Sequence, residues 1–280
     1  MKFGATRLRS ILPTQLKKPA AHAAFLEPLG FDYAVSSRHL RCLNKSGSKL
    51  YEIEFREGPP VGGLALAELV NPKADSTRIV DLGTGNGIIA IAMAAKGCAS
   101  VFAVDVSDRD CKLALKNVRR NHKEHAIDVL RGDFASPLMS GAFDIIVANP
   151  PQLPTKVTMP DIQNFAGPTG YEAIDKIISQ SEACLTSEGE LWLYVLGFLG
   201  VERPTGSLPS LFERLRMFGF HPHVERNLRR RHSQDINIQK ALPLIQDLYP
   251  MSDIARNFPK VGYYEAFVIR ASRLVGEESR

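Results

Sequence analysis

Residues 78–91 read RIVDLGTGNGIIAI: a short apolar run, a turn with three glycines and the start of a second apolar run. Gly83, Gly85 and Gly87 stand at alternate positions, a spacing that differs from the Gly-x-Gly-x-x-Gly of dinucleotide sites. Glycine lets the backbone turn sharply and approach a ligand closely, and a helix that follows offers unpaired N–H groups. The stretch therefore predicts a strand, a ligand-binding turn and a helix at residues 88–96. A merely tight strand-to-helix turn is the alternative.

The chain downstream of this stretch continues to alternate between short apolar runs and helical patterns. We predict strands at residues 78–82, 100–104, 127–131, 143–148, 190–196, 221–229 and 263–270. The predicted helices cover residues 108–123, 170–185, 208–218 and 238–249. Nearly continuous apolar strands that alternate with helices are typical of a doubly wound, mostly parallel sheet covered on both faces. The fold class predicted from this pattern is α/β and Rossmann-like.

The first 62 residues lack this alternation. We predict that residues 1–62 form an N-terminal cap, with a helix at residues 19–29 and two strands within residues 40–55 joined by a glycine-bearing turn. Residues 63–280 are predicted to form the main domain, which begins with a helix at residues 64–70. Residues 1–26 contain no acidic side chain, and we expect a solvated basic helix there. An organellar transit peptide is the alternative.

Composition indicates an enzyme-sized globular chain. With 280 residues, 44% of them hydrophobic and 23% charged, the chain can bury a large core. It has no run of eighteen apolar residues, so we expect no membrane span and a cytoplasmic protein. The four cysteines are scattered, which predicts reduced thiols and neither a metal site nor a disulfide framework. A net charge of +5 permits acidic partners without demanding them.

Acidic residues follow the next two predicted strands. In an open parallel sheet, ligands bind outside the carboxyl ends of the strands, where Asp105 can accept from two ribose hydroxyls. The alternative role, a helix N-cap, falls more naturally on Ser107. Asp133 can accept from an adenine amino group while Phe134 lies against the ring; a capped turn with a core phenylalanine is the alternative. Together with the glycine turn, these strand ends predict a nucleoside site.

A second diagnostic stretch, residues 143–152, reads FDIIVANPPQ. Pro150 and Pro151 fix two φ angles and remove two N–H donors, which leaves backbone carbonyls and the Asn149 side-chain oxygen to accept from an incoming N–H. A nitrogen held there is aimed in line with a methyl group on a sulfonium. Orientation alone supplies roughly 7–11 kcal/mol in favourable cases, and a nitrogen that loses its proton after attack needs no strong base. A rigid strand-ending turn is the alternative.

In order and spacing, these motifs resemble the class I S-adenosylmethionine-dependent methyltransferases over about residues 55–200. The Asn-Pro-Pro turn is similar to that of the release-factor glutamine N-methyltransferases and of the adenine and guanine exocyclic-amine methyltransferases. Residues 166–170, AGPTG, resemble the glycine-rich segment of the release-factor branch. The resemblance implies S-adenosylmethionine as cofactor and a seven-stranded sheet whose strand near residues 263–270 is antiparallel.

The resemblance also implies where individual residues act. It places Asp81, Gly83 and Gly85 around the methionine part of the cofactor, Asp105 on ribose, Asp133 and Phe134 on adenine, and Asn149 on the substrate nitrogen. The residues expected at the cofactor are Asp81, Gly83, Thr84, Gly85, Asn86, Asp105, Val106, Asp133, Phe134 and Asn149. Those expected in the catalytic turn are Asn149, Pro150, Pro151 and Gln152. Those expected at the acceptor are Gln152, Tyr171 and Arg56.

Gln152 departs from the pattern, because those enzymes carry tyrosine or phenylalanine at this position. Glutamine cannot stack on a flat acceptor, although it can hydrogen-bond, so we expect a small molecule bearing an amine or amide. The segment from Gln163 to Tyr171 and the cap are expected to enclose it. The basic residues of the 226–232 segment can clamp a carboxylate or phosphate, but they lack interleaved aromatics and we expect no nucleic-acid partner.

Four other functions remain open from the sequence. The first is methylation of a protein glutamine or of a nucleic-acid exocyclic amine. The second is cyclisation of the cofactor's aminobutyrate group with release of methylthioadenosine. The third is a catalytically silent cofactor-binding scaffold. The fourth, a nicotinamide oxidoreductase, lacks the glycine spacing and gives the Asn-Pro-Pro turn no role.

Overall fold

The computed structural model describes residues 32–44, 47–56, 60–73, 76–156, 166–231, 236–258, 260 and 262–273. The predicted helix at residues 19–29, the basic segment at residues 1–26, Gln163 and His232 lie outside these ranges. The described helices are α1 (Val61–Leu69), α2 (Ile88–Ala95), α3 (Asp108–Arg120), α4 (Glu172–Cys184), α5 (Leu211–Met217), α6 (Ile236–Leu248) and α7 (Asp253–Asn257). The described strands are β1 (Asp32–Val35), β2 (His39–Leu43), β3 (Lys49–Glu54), β4 (Arg78–Leu82), β5 (Ser100–Asp105), β6 (Ile127–Arg131), β7 (Phe143–Ala148), β8 (Leu185–Leu196), β9 (Phe220–Arg231) and β10 (Tyr263–Arg273).

A small antiparallel sheet precedes the main domain. Strands β2 and β3 pair as the predicted hairpin, and Gly47 between them has a φ of +81°, a conformation that glycine adopts without strain. Strand β1, which the sequence analysis did not predict, pairs with the other edge of β2. The order of this sheet is therefore β1-β2-β3. The predicted division of the chain at residue 62 stays a prediction.

The main sheet of the described residues has seven strands in the order β6-β5-β4-β7-β8-β10-β9. Strands β4 to β8 pair in parallel, whereas β10 is antiparallel to both of its neighbours, β8 and β9. The predicted α/β class, the seven strands and the antiparallel strand near residues 263–270 are all confirmed. The strand order turns back at β4, so the topological switch point lies between β4 and β7.

Apolar composition explains the centre of this sheet. The residues of β4 from Ile79 to Leu82 are fully buried, and nearly every residue of α2 is buried as well. Helix α3 is amphipathic, and Ser107 caps it by accepting from the Asp110 N–H at 3.2 Å. The N-cap thus falls on Ser107, which leaves Asp105 for another role. Among the described residues, no helix is long and apolar enough to cross a membrane.

The register of the central strands brings the two diagnostic turns together. Leu82 at the end of β4 pairs with Val104 of β5 on one side and with Ala148 of β7 on the other. Gly83 directly follows β4 and Asn149 directly follows β7, so the two residues leave adjacent parallel strands at the same edge of the sheet. The last residue of β5, Asp105, pairs with the last residue of β6, Arg131. The end of β6 therefore lies at the same edge of the sheet as the ends of β4 and β5. The predicted placement of the three acidic strand ends side by side is confirmed.

Candidate active site

The glycine-rich turn after β4 has left-handed backbone conformations, which residues other than glycine adopt only with strain. Gly83, Gly85 and Gly87 have φ angles of +72°, +55° and +82°. The N–H groups of Gly83 and Thr84 donate to the Val104 carbonyl at 2.8 and 2.9 Å, so the turn is pinned to β5. The helix α2 begins directly after Gly87. The turn thus presents a fixed backbone at the switch point of the sheet.

Asp81 supports this turn from behind. Its side chain is fully buried, and Oδ2 accepts from the Thr84 hydroxyl at 2.6 Å and from the Ala90 N–H at 3.2 Å. Oδ1 is buried without a hydrogen-bond partner among the described residues. Burial raises the pKa of Asp81 to about 7, against the lowering effect of Thr84 and Ala90; the nearby Asp105 adds to the rise. Asp81 does not line the site cavity, so the predicted cofactor contact is replaced by support of the turn.

Asp105 holds the turn from the other side. Oδ2 accepts from the Gly85 N–H and Oδ1 from the Ser107 N–H, both at 2.9 Å. Burial raises the pKa of Asp105, and these two N–H groups oppose the rise. Each carboxylate oxygen has two lone pairs, so the group keeps the capacity to accept from a further donor. The carboxylate lines the cavity between the ends of β4 and β5.

The third strand end is strained and paired to a helix. Phe134 has a φ of +51°, which is uncommon for a residue with a side chain. Asp133 makes an ion pair with Lys176 of α4, and the Lys176 ammonium lies 6.0 Å from the centre of the Phe134 ring. Both Asp133 and Phe134 line the cavity. Backbone strain at such a position is a feature of binding sites.

Helix α1 approaches Asn149 very closely. A Cβ atom on Gly62 would lie 2.7 Å from the Asn149 Oδ1 atom and 2.7 Å from Cδ1 of Tyr194. Only glycine fits at this position without displacing one of those side chains. Asn149 lines the cavity and is held against the start of α1, so the amide has a defined place at the end of β7.

Gln152 points into the protein rather than into the cavity. Its side chain is 4% exposed, its Nε2 donates to the carbonyls of Pro150 at 3.1 Å and Tyr194 at 2.9 Å, and its Oε1 accepts from the Leu196 N–H at 2.7 Å. The amide is thus committed to the backbone. The expected acceptor contact from Gln152 is replaced by a positioning role, and the Pro150 carbonyl predicted to be free is already an acceptor.

We expect Gln152→Leu to lower the free energy of unfolding by about 1–3 kcal/mol, because it leaves the buried Leu196 N–H without an acceptor. The measurement is urea unfolding of both proteins. Gln246→Leu is the matched control, since that side chain makes one exposed 3.4 Å hydrogen bond, and we expect a change within about 0.5 kcal/mol. Equal effects of the two substitutions would contradict the positioning role.

Tyr171 is also a structural residue. It is 1% exposed, its hydroxyl donates to the Leu199 carbonyl at 2.8 Å, and the Arg214 guanidinium lies 3.8 Å from the ring centre. Burial raises its pKa well above the ordinary tyrosine value. The prediction that Tyr171 contacts the acceptor is wrong, because its ring and hydroxyl are both occupied by packing at the start of α4.

One cavity of about 630 Å³ joins the features that line the site. The predicted residues among its lining are Arg56, Gly83, Thr84, Gly85, Asn86, Asp105, Val106, Asp133, Phe134, Asn149 and Pro151. Of the other predicted residues, Asp81, Pro150, Gln152 and Tyr171 are not part of that lining. The predicted roles of the lining residues stay predictions, and the side chains of Asp81, Gln152 and Tyr171 are buried outside the cavity.

Phe55 and Pro60 of the cap, expected with Arg56 to close over the cofactor, also line the cavity. Other lining residues were not predicted. Asp110 lies in the first turn of α3, one turn after its N-cap. A helix start beside a strand-end aspartate is a signal that could have marked Asp110. Asn237 of α6 reaches the cavity from the C-terminal third of the chain, and nothing in the local sequence marks it. Its position is a consequence of tertiary packing.

The charges of the lining fit a cationic ligand. Among the described residues, the lining contains three carboxylates, Asp105, Asp110 and Asp133, and one basic side chain, Arg56. Burial and the neighbouring Asp110 raise the pKa of Asp105, and a positive charge bound beside it would favour its ionised form. S-adenosylmethionine carries a sulfonium and an ammonium group, so its charge complements this set. No cluster of three or more metal-ligating side chains was found among the described residues.

Comparison with known proteins identifies the family to which the chain belongs. Residues 61–219, more than half of the chain, match the family model described as "Methyltransferase small domain". The release factor glutamine methyltransferase of Gloeobacter violaceus is 34% identical over 134 residues, which cover 44% of this chain and 47% of that protein. The protein of the same description from Deinococcus radiodurans is 31% identical over 175 residues, which cover 59% and 58% of the two chains. This chain therefore matches only about half the length of these relatives.

A solved structure supports the fold alone. The YcgJ protein of Bacillus subtilis aligns with a TM-score of 0.50 and 14% identity, over 76% of this chain and 97% of that one. The match of the family model, which spans the glycine turn and the Asn149 turn, carries the assignment. This chain belongs to the methyltransferase small-domain family, within the class I S-adenosylmethionine-dependent methyltransferases.

Proposed function

We propose that this protein transfers a methyl group from S-adenosylmethionine to a nitrogen atom of a small molecule that bears an amine or amide. One observation carries the proposal: the pairing of Leu82 with Ala148 sets the glycine turn and Asn149 side by side, and both line the same cavity. A cofactor held by the first turn has its reactive group within reach of an acceptor held by the second.

The cofactor half of the proposal rests on the three strand ends. Asp105 accepts from the ribose hydroxyls with the lone pairs that its backbone contacts leave available. Phe134 covers the adenine ring and Asp133 accepts from its amino group. The turn from Gly83 to Asn86 surrounds the methionine part, and Val106 borders the ribose. Lys176 holds Asp133 in place through their ion pair.

The bound cofactor supplies an electrophilic methyl group on a sulfonium. Asn149 accepts an N–H of the acceptor through its side-chain oxygen and so orients the nitrogen lone pair. Because Gly62 has no side chain, α1 can pack directly against the Asn149 side-chain oxygen. This packing limits the positions that the amide can adopt. Orientation of this kind supplies much of the catalysis in reactions between two bound groups. Gln152 keeps the turn in place by joining Pro150 to the carbonyl of Tyr194.

The acceptor half of the cavity favours a small polar molecule. Arg56 and Asn237 add polar groups to the lining that also contains Asn149, and Phe55 and Pro60 add apolar walls. Gln152 turns inward, so position 152 contributes no aromatic platform for a nucleobase. Arg56 suits an acceptor that also carries a carboxylate.

A protein glutamine is the second candidate acceptor, and a specific observation favours it. Two of the relatives are described as release factor glutamine methyltransferases, and residues 166–170 resemble the glycine-rich segment of that branch. Ala166 lines the cavity, and its N–H donates to the carbonyl of Leu153, which directly follows the Asn149–Gln152 turn, at 2.9 Å. A glutamine side chain and a small primary amide present the same amide group to Asn149, so only the experiment separates the two.

The deciding experiment follows a labelled methyl group. The protein is incubated with methyl-labelled S-adenosylmethionine alone and then with a metabolite extract, total RNA or a release factor, and products are identified by mass spectrometry. We expect label on the nitrogen of a small molecule. Label in the release factor or in RNA would overturn the choice of acceptor. Methylthioadenosine formed without any acceptor would overturn methyl transfer, and binding without turnover on any acceptor would indicate a scaffold.

The cofactor role of Asp105 gives a quantitative prediction. We expect Asp105→Ala to weaken the binding of S-adenosylhomocysteine by about 1–3 kcal/mol, because charged hydrogen bonds are lost. Isothermal calorimetry measures the change. Asp108→Ala is the matched control, since that exposed carboxylate pairs with Lys112 and does not line the cavity. Equal dissociation constants for the two variants would refute the assignment.

A further inference from the structure

Within the described residues, the edge of β3 opposite β2 is completed by side chains of helix α3 and of its C-cap residue, Asn121. The Asn121 amide pairs with the backbone of Glu52, accepting from its N–H at 2.8 Å and donating to its carbonyl at 2.7 Å. The Asn117 amide pairs in the same way with Glu54, at 2.9 Å for both hydrogen bonds. Four residues of a helix rise about 6 Å and two residues of a strand about 6.6 Å, so the two spacings match.

Ion pairs reinforce the same contact. Glu54 receives Lys116 at 2.7 Å and Arg120 at 3.2 Å, and Arg120 also lies 3.9 Å from Glu52. The hydrogen bond and charge of Lys116, followed by Arg120, lower the pKa of Glu54. These contacts hold the β1–β3 sheet on α3 whichever asparagine is removed.

Asn117 makes one contact that Asn121 does not make. Its Nδ2 atom donates a second hydrogen bond to the Asn86 carbonyl at 2.8 Å, and its side chain is fully buried. Asn86 belongs to the glycine turn and lines the cavity. The second donor bond of Asn121 instead goes to the Asn117 carbonyl in its own helix. One amide group therefore joins the backbone of β3 to the backbone of the turn.

We propose that Asn117 is a positioning residue that couples the seating of the β1–β3 sheet to the shape of the cofactor turn. Seating of β3 fixes the Asn117 amide, which then fixes the Asn86 carbonyl, so a seated sheet strengthens cofactor binding. By thermodynamic reciprocity, bound cofactor strengthens the seating of β3. This inference rests on the proposed function only in taking the cavity as the cofactor site.

The pair of asparagines provides a matched test. Asn117→Ala and Asn121→Ala each remove two hydrogen bonds to β3, but only the first removes the bond to Asn86. With S-adenosylhomocysteine as the probe, calorimetry is expected to show a dissociation constant raised about fivefold or more for Asn117→Ala. The value for Asn121→Ala is expected to stay within about twofold. Equal values for the two variants would overturn the coupling.

Amide hydrogen exchange gives a second readout, and its measurement on the wild-type protein does not need a stable variant. In the wild-type protein, saturating S-adenosylhomocysteine is expected to slow exchange of the Glu54 N–H, held by Asn117, more than that of the Glu52 N–H, held by Asn121. In Asn121→Ala the added protection of Glu54 persists, and in Asn117→Ala it is lost. Equal protection of both amides in the wild type would overturn the inference. A wild-type protein that binds no S-adenosylhomocysteine would instead overturn the proposed function.

Discussion

Replacing Asn149 with alanine is expected to lower kcat by about 10²- to 10³-fold, the usual cost of removing one preorganised hydrogen-bonding group from an active site. The side-chain oxygen that orients the acceptor nitrogen is lost, while the strand ends that hold the cofactor are untouched. The dissociation constant of S-adenosylhomocysteine is therefore expected to stay within about twofold. Steady-state kinetics on the identified acceptor and calorimetry on the same preparation measure the two effects.

A second substitution reaches the same amide from another direction. Gly62→Ala keeps Asn149 but introduces a Cβ atom 2.7 Å from its Oδ1 position, so the amide must move. We expect kcat to fall and the affinity for S-adenosylhomocysteine to change little. Asn149→Asp has a side chain of the same length and keeps an acceptor oxygen, so it is expected to retain more activity than Asn149→Ala. Turnover of Asn149→Ala within threefold of the wild type would show that Asn149 does not orient the acceptor.

The central strands could be predicted from the sequence because each combines a buried apolar run with a characteristic ending. Strands β4, β6 and β7 have the predicted bounds. Each of them is followed by a turn that glycine, aspartate or Asn-Pro-Pro marks. Since parallel strands end on one edge, the motifs that follow them must meet there. The meeting of these turns at one edge of the sheet could therefore be predicted from the order of the strands and their motifs.

Elements with mixed composition were predicted less well. Strand β8 begins at Leu185, five residues before the predicted start. The start was placed too late because residues 186–189, TSEG, are polar or glycine and lack an apolar run. Leu185 nevertheless pairs with Phe143 of β7. Strand β1 was missed because its four residues, DYAV, are too short for an alternating pattern. Pairing with a neighbouring strand makes each segment a strand: β8 pairs with β7, more than 40 residues away, and β1 pairs with the nearby β2.

The direction of polar and aromatic side chains could not be read from local sequence. Gln152 follows a motif whose members face a ligand, yet its amide partners are the backbones of Tyr194 and Leu196, more than 40 residues away. Tyr171 follows a glycine-rich turn, yet its hydroxyl partner is the Leu199 carbonyl. Burial of such groups depends on distant acceptors that only the folded sheet brings close.

The buried carboxyl of Asp81 makes stability depend on pH. Burial raises its pKa from 3.8 to about 7, so between these values the folded state holds a proton that the unfolded chain has lost. The contribution of Asp81 to the free energy of unfolding is therefore full below about pH 4, falls as the pH rises towards 7, and is lost above that. The distance between the two pKa values corresponds to about 4 kcal/mol. Burial disfavours ionisation of Asp81 in the folded protein, and the hydrogen bonds from Thr84 and Ala90 offset only part of this effect.

Asp81→Asn is expected to remove this contribution to the pH dependence. The amide oxygen can still accept from the Thr84 hydroxyl and the Ala90 N–H, whereas the amide nitrogen takes the place of the buried Oδ1 atom, which has no hydrogen-bond partner among the described residues. Any cost of that nitrogen is the same at every pH. We therefore compare the free energy of unfolding of the variant with that of the wild type by urea unfolding at pH 5 and pH 8. The difference is expected to shift in favour of the variant by about 2–3 kcal/mol from pH 5 to pH 8. Parallel pH profiles of the two proteins would mean that Asp81 ionises in the folded state as easily as in the unfolded chain.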